Sequence, residues 1–142
     1  MGFTRHFSKE LNFLLAKATG EINDSDLASH VKAINEVTNG LSNVKGLADC
    51  REITEMNLTT QDTMLSAQME DNKPGSKIVI LVPENNDLIY GMARSYQMFC
   101  EDYCEDVRVF QDYDEALFWL SNDDTHDKMA LDNFIKTTNI AS

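Results

Sequence analysis

The sequence predicts an α/β domain built on a mixed β-sheet, with elements in the order ββαβαβαβα. Two observations carry that reading. Apolar residues switch repeatedly between a period of two and a period of three to four, so short strands alternate with single helices. The segment "KIVILVP" is apolar at every position from Ile78 to Val82 and rich in β-branched residues, as a strand covered on both faces requires. A chain of 142 residues, 42% of them hydrophobic, suffices for one such domain with its own core.

The first two strands come as a hairpin. Phe3, Arg5 and Phe7 alternate with Thr4, His6 and Ser8, and "FLLAKATG" follows the turn-prone "KELN". In "INDSDLASHVKAINEV" the period lengthens: Leu27, Val31 and Ile34 recur at helical spacing behind a capping cluster of Asn, Asp and Ser, and Gly40 marks the exit. "VKGLADCREI" reads as a weakly alternating strand. Thr59 followed by Asp62 has the spacing of a capping box and opens a second helix carrying Met64, Leu65, Gln68 and Met69. "DNKPGS" ends it.

After "KIVILVP", a third helix starts at Asp87, with Ile89, Ala93, Tyr96 and Cys100 on one stripe. "DVRVF" is the last strand, and Asp112 with Glu115 opens a helix through Ala116, Leu117 and Leu120. Cys100 belongs to the core stripe and Cys104 to the turn before "DVRVF", so both are expected as free thiols. The domain is expected over residues 1–121. Residues 122–142 form an acidic tail that is either a weak helix through Met129, Leu131, Phe134 and Ile135 or disordered. Right-handed crossovers taken in sequential order place their helices mainly on one face of the sheet. The hairpin, the tail or a second subunit of a homodimer must then cover the other.

Composition narrows the function. Twelve Lys and Arg against twenty-four Asp and Glu leave a net charge of -12, which repels nucleic acid and anionic membranes. Ten acids and a single base, Arg108, fall between Glu101 and Asp127. No apolar run is long enough for membrane insertion, and an odd cysteine count without a leader segment points to a cytoplasmic protein with reduced thiols. Nucleophile elbows, phosphate-binding loops, Cys-x-x-Cys and His-Glu-x-x-His are absent from the sequence, so no enzyme activity, metal or cofactor is expected. "DDTHD" gathers Asp123, Asp124, His126 and Asp127, but lacks the glycine and distal glutamate of a calcium loop.

The expected site lies where helix N-termini meet the carboxyl ends of parallel strands, the edge at which open α/β sheets bind ligands. Asn57, Thr59 and Thr60 stand at one such terminus, and Asn86 and Asp87 at the next. Tyr90 and Arg94 lie one turn apart and share a face, where an Arg can hold an acidic group by paired hydrogen bonds. Thr59 and Thr60 are also candidates for phosphorylation, against the simpler role of Thr59 as a helix cap.

The run Gly91-Met92-Ala93-Arg94 with Tyr96, then Val107-Arg108-Val109-Phe110, then Glu115-Ala116-Leu117 with Trp119-Leu120, resembles the SpoIIAA-like, STAS-type family of small bacterial proteins. "GLADCREI" and "MNLTTQD" fall where that family places a strand and a helix start, and the likeness spans roughly residues 3–121. It implies a mixed sheet with an antiparallel first strand, and a non-catalytic regulatory or binding module for a partner protein or a small ligand. Its lipid-carrying side implies an alternative, a carrier of a lipid or other hydrophobic small molecule, with a pocket near Met64, Met69, Met92 and Met98. Relatives with a phosphoswitch carry Ser in an Asp-Ser-Ser-Gly-like turn. This chain has Asn57-Leu58-Thr59-Thr60 there, without Ser or Gly.

Overall fold

A computed structural model describes residues 2–70, 75–100 and 106–141. Five strands and five helices follow the expected order: β1 (Gly2–Ser8), β2 (Phe13–Asn23), α1 (Asp24–Val37), β3 (Lys45–Asn57), α2 (Thr60–Met69), β4 (Lys77–Leu81), α3 (Asp87–Cys100), β5 (Asp106–Phe110), α4 (Tyr113–Leu120) and α5 (Thr125–Ala141). The strands lie in one sheet in sequential order, β1-β2-β3-β4-β5. The β1–β2 pair is antiparallel and the other three pairs are parallel.

Three successive parallel crossovers stepping in one direction leave α1, α2 and α3 on the same face, by the handedness rule. Ala67, Ile89, Ala93 and Cys100 from α2 and α3 pack there with Ala18, Cys50 and Ile80 of the sheet. The opposite face is covered from within the chain. Ala116, Leu117 and Leu120 of α4 and Leu131 and Ile135 of α5 pack on Phe13, Leu15, Leu47, Val79 and Leu81. The segment left open between weak helix and disorder is therefore helical over Thr125–Ala141, and Phe134 meets Phe13 edge to face at 5.8 Å.

Several elements exceed or rotate from their expected form. β3 runs four residues beyond Ile53, to Asn57, and β2 runs to Asn23. Their pairing continues past the end of β4 at Leu81, with register shifts at Lys17/Thr19 and Gly20/Glu21. Such irregularities bend a strand pair, and the long β2–β3 ribbon overhangs the rest of the sheet. Helix α2 buries Thr63, Ser66 and Ala67, while Leu65 and Met69 are exposed. Of the residues named for this helix, Leu65, Gln68 and Met69 face solvent and Met64 is half-buried. The rotation of the helix is set at both ends, by Thr59 bonded to Asp24 of α1 and by the Met69 carbonyl accepting from Asn35 Nδ2 at 2.8 Å. Cys100 is fully buried as its stripe requires. Cys104 and the break at residues 71–74 lie outside the described residues.

Candidate functional site

The two faces of the sheet carry side chains of very different size. In register, Leu14, Gly46 and Ile78 are partners, as are Ala16, Ala48 and Ile80. These rows face α1–α3, and with Ala18 and Cys50 they make the centre of that face small. The alternate rows on the other face carry Phe13, Leu15, Leu47, Val79 and Leu81, which fill it. Above the small-residue face lies α2, which again presents small groups, Thr63, Ser66 and Ala67. Small side chains on both sides of one layer cannot interdigitate across it, so space is left.

That space is an apolar cavity of about 100 Å³, well above the roughly 15 Å³ that one water needs. Its floor is the sheet around Ala16 and Ala48, and opposite the floor stand Leu27, His30 and Ile34 of α1 with Thr63 of α2 and Glu70 just past the end of that helix. The overhanging ribbon closes one end with Ile22, Ile53 and Met56, and Ile89, Met92 and Ala93 of α3 form a side wall. Gly46 is needed beside it: a Cβ there would stand 2.8 Å from Ile78 Cδ1, so the absent side chain lets Ile78 lean across β3.

Four polar groups interrupt the apolar lining: His30, Thr63, Glu70 and Tyr96. His30 stacks on Phe3 with ring centroids 4.0 Å apart, and its Nδ1 lies 3.3 Å from Arg5 Nη1. Burial, reinforced by the Arg5 charge, lowers its pKa to about 3, so the imidazole is neutral. Arg5 donates to Nδ1, which places the ring proton on Nε2. Thr63 donates its hydroxyl proton to the Thr59 carbonyl at 2.7 Å, and the Tyr96 hydroxyl donates to the buried Glu70 carboxylate. Cys50 also lines the cavity. Burial, with the neighbouring Asp49 charge, pushes its pKa up to about 12, so the thiol stays protonated and acts as apolar wall rather than nucleophile.

The residues expected to form the site lie at the carboxyl edge of the strands in two groups. Asn57 ends β3 and donates to Glu21 Oε1 at 2.9 Å. Thr59 caps α2, accepting from the Asp62 N–H at 3.2 Å. The reciprocal half of a capping box is supplied by Asp24 rather than Asp62. Asp24 accepts from the Thr59 backbone N–H at 2.9 Å and from Thr59 Oγ1 at 3.1 Å. Exposed Thr60 follows it. The N-terminus of α2 thus already holds carboxylate. The pKa of Asp62 is raised by desolvation and by the adjacent Asp24, and a phosphate on Thr59 would meet both acids.

In the second group Asn86 caps α3, accepting from the Ile89 N–H at 3.1 Å. Asp87, Tyr90 and Arg94 follow on the exposed side of that helix. None of the seven lines the cavity. Of the methionines named for a pocket, Met92 lines it, while Met69 and Met98 are exposed. Asp124 of "DDTHD" caps α5, accepting from the Asp127 N–H at 3.0 Å. Among the described residues no group of three His, Cys, Asp or Glu is placed to hold a metal ion, and no helix is long and apolar enough to cross a membrane.

A mixed five-stranded sheet in sequential order, with an antiparallel first strand and three crossover helices on one face, defines an α/β module of the type the helix and strand motifs suggested. No family model and no curated protein matches the chain. Among solved structures, it is similar to an uncharacterised DUF3478-family protein with a SpoIIAA-like fold from Shewanella loihica PV-4. The two are 19% identical with a TM-score of 0.55, over 84% of this chain and 94% of that one. The fold is SpoIIAA-like.

Proposed function

We propose that this protein is a non-catalytic binding module whose ligand is a small apolar molecule held between the sheet and α1–α3. One observation carries the reading: the partly open apolar cavity of about 100 Å³ over Ala16 and Ala48. A packed domain without a guest rarely keeps a void of this size, because each wall loses its contacts across it. The lining is apolar with a few polar groups, the composition of small-molecule sites. Its buried groups are poorly suited to catalysis, since the thiol is protonated and the imidazole is held by Arg5.

The test is uptake of the neutral fluorophore aminoanthracene, alongside native mass spectrometry of freshly purified protein. Ala48→Leu fills the cavity from its floor. It is expected to abolish uptake while leaving thermal stability equal or higher, as cavity-filling changes do. Unchanged uptake in a folded Ala48→Leu protein would overturn the proposal.

A second reading is a partner-protein surface on the edge that bears Asn57, Thr59, Thr60, Asn86 and Asp87. It is favoured by Tyr90 and Arg94, both exposed and one turn apart on α3. Retention of a partner by wild type but not by a Tyr90→Ala/Arg94→Ala variant would support it.

A further inference from the structure

His30 lines the cavity with only one of its two ring nitrogens engaged. Arg5 has N–H donors and no acceptor, so the approach of its Nη1 to Nδ1 at 3.3 Å requires a lone pair on Nδ1. The imidazole is then neutral and carries its one proton on Nε2. Phe3, stacked on the ring, and Arg5 pair across β1–β2 with Ala18 and Ala16. These neighbours set His30 over the β1 side of the cavity floor and fix which nitrogen bears the proton.

Among the described residues none accepts from Nε2–H. A buried N–H without an acceptor is costly, and native structures nearly always supply one. The buried side-chain atom sealed in without a partner, among the described residues, is Gln97 Oε1. His30 Nε2 is therefore open to a small molecule, although the residue as a whole is only 7% exposed. The hydroxyls of Thr63 and Tyr96 cannot serve as donors to a guest, because each gives its single proton within the protein, to the Thr59 carbonyl and to Glu70. The Cys50 thiol is a weak donor.

Resting on the small-molecule reading above, we propose that the guest is an uncharged carbonyl compound, a ketone, aldehyde or ester, whose oxygen accepts from His30 Nε2–H. An apolar lining with one strong neutral donor suits an uncharged acceptor with an apolar body. The body lies over Ala16 and Ala48, where the small side chains leave room. Arg5 acts as a positioning residue, holding the ring so that the donor is Nε2.

The experiment compares acetophenone with α-methylstyrene, in which a methylene group replaces the carbonyl oxygen, as displacers of aminoanthracene from the full chain at neutral pH. The alkene leaves water more readily, so the readout is the effect of His30→Phe on each guest rather than their order in wild type. The variant is expected to weaken acetophenone by about five- to tenfold. It should change α-methylstyrene by less than about twofold. Should His30→Phe not fold, wild type decides by magnetic resonance. The His30 Nε2–H proton is expected downfield in the acetophenone complex relative to the α-methylstyrene complex.

Equal weakening of both guests in folded His30→Phe, or weakening of neither, overturns the carbonyl assignment and leaves the small-molecule reading standing. The same holds for an Nε2–H resonance at one position with both guests, or for fluorophore uptake that neither guest reverses. Failure of the fluorophore and of both guests to bind overturns both.

Discussion

His30 shows how much a single residue depends on its surroundings. In sequence it borders the stripe of Leu27, Val31 and Ile34 without joining it. In the fold it is buried, stacked on Phe3 and tied to Arg5. The contacts come from β1, some twenty-five residues earlier, so helical spacing alone could not reveal them. A histidine with a folded pKa of about 3 and an unfolded value near 6.5 binds fewer protons when native than when unfolded. Stability is thus unaffected above about pH 6.5 and falls as pH drops from there toward 3, with a slope approaching about 1.4 kcal/mol per pH unit. His30→Phe is expected to remove this component. Urea unfolding at pH 7 and pH 4.5 should show a smaller acid loss in the variant than in wild type. An identical loss would mean that His30 is not buried neutral. The signal available in sequence was only its position next to a core stripe, which does not distinguish a lining residue from an exposed one.

At the scale of elements, caps were legible and rotations were not. Asn23, Thr59 and Asp112 each stand where a helix begins, because capping is a local hydrogen bond within three residues. Thr59→Ala is expected to cost about 1 to 2 kcal/mol, since it removes both the cap and the hydroxyl bond to Asp24. Chemical denaturation measures this, and a change below about 0.3 kcal/mol would show that the Asp24 contact with the backbone suffices. The inward face of α2 could not be read from Leu65 and Met69, although their spacing fits a buried stripe. The helix turns Thr63, Ser66 and Ala67 inward because its ends are tied to α1, and the choice between faces belongs to those long-range ties. Helix α5 is the converse case, a weak pattern made definite by docking. Leu131 and Ile135 are 2% and 5% exposed, so Leu131→Ala or Ile135→Ala should each destabilise by about 2 to 5 kcal/mol. Met129→Ala, at an exposed site, should change stability by less than about 0.5 kcal/mol.

Over the whole molecule, the question is what covers each face of the sheet. The crossover rule leaves one face without helices from the βαβ units, and α4 and α5 close it. A chain ending at Ser121 would expose Phe13, Leu47 and Leu81 beside α4, and its expected outcome is self-association or loss of cooperative unfolding. Light scattering checks the first, and a monomeric, cooperatively folding truncation would show that α5 is dispensable. What the sequence by itself determined was the element order, the sheet class and the helix starts, because each rests on periodicity or on hydrogen bonds between near neighbours. The SpoIIAA-like likeness in α3, β5 and α4 belongs to the same local information. Only the tertiary structure decided where the cavity lies. Asn57, Thr59, Asn86 and Arg94 sit at the edge where ligands of α/β sheets are sought. The open space lies instead over Gly46, Ala48 and Ala16 of adjacent strands, under Leu27 and Ile34 of α1, Thr63 of α2 and Ala93 of α3. Each of those small residues is unremarkable along the chain. A void is a property of volumes summed across elements far apart in sequence, and no local pattern encodes that sum.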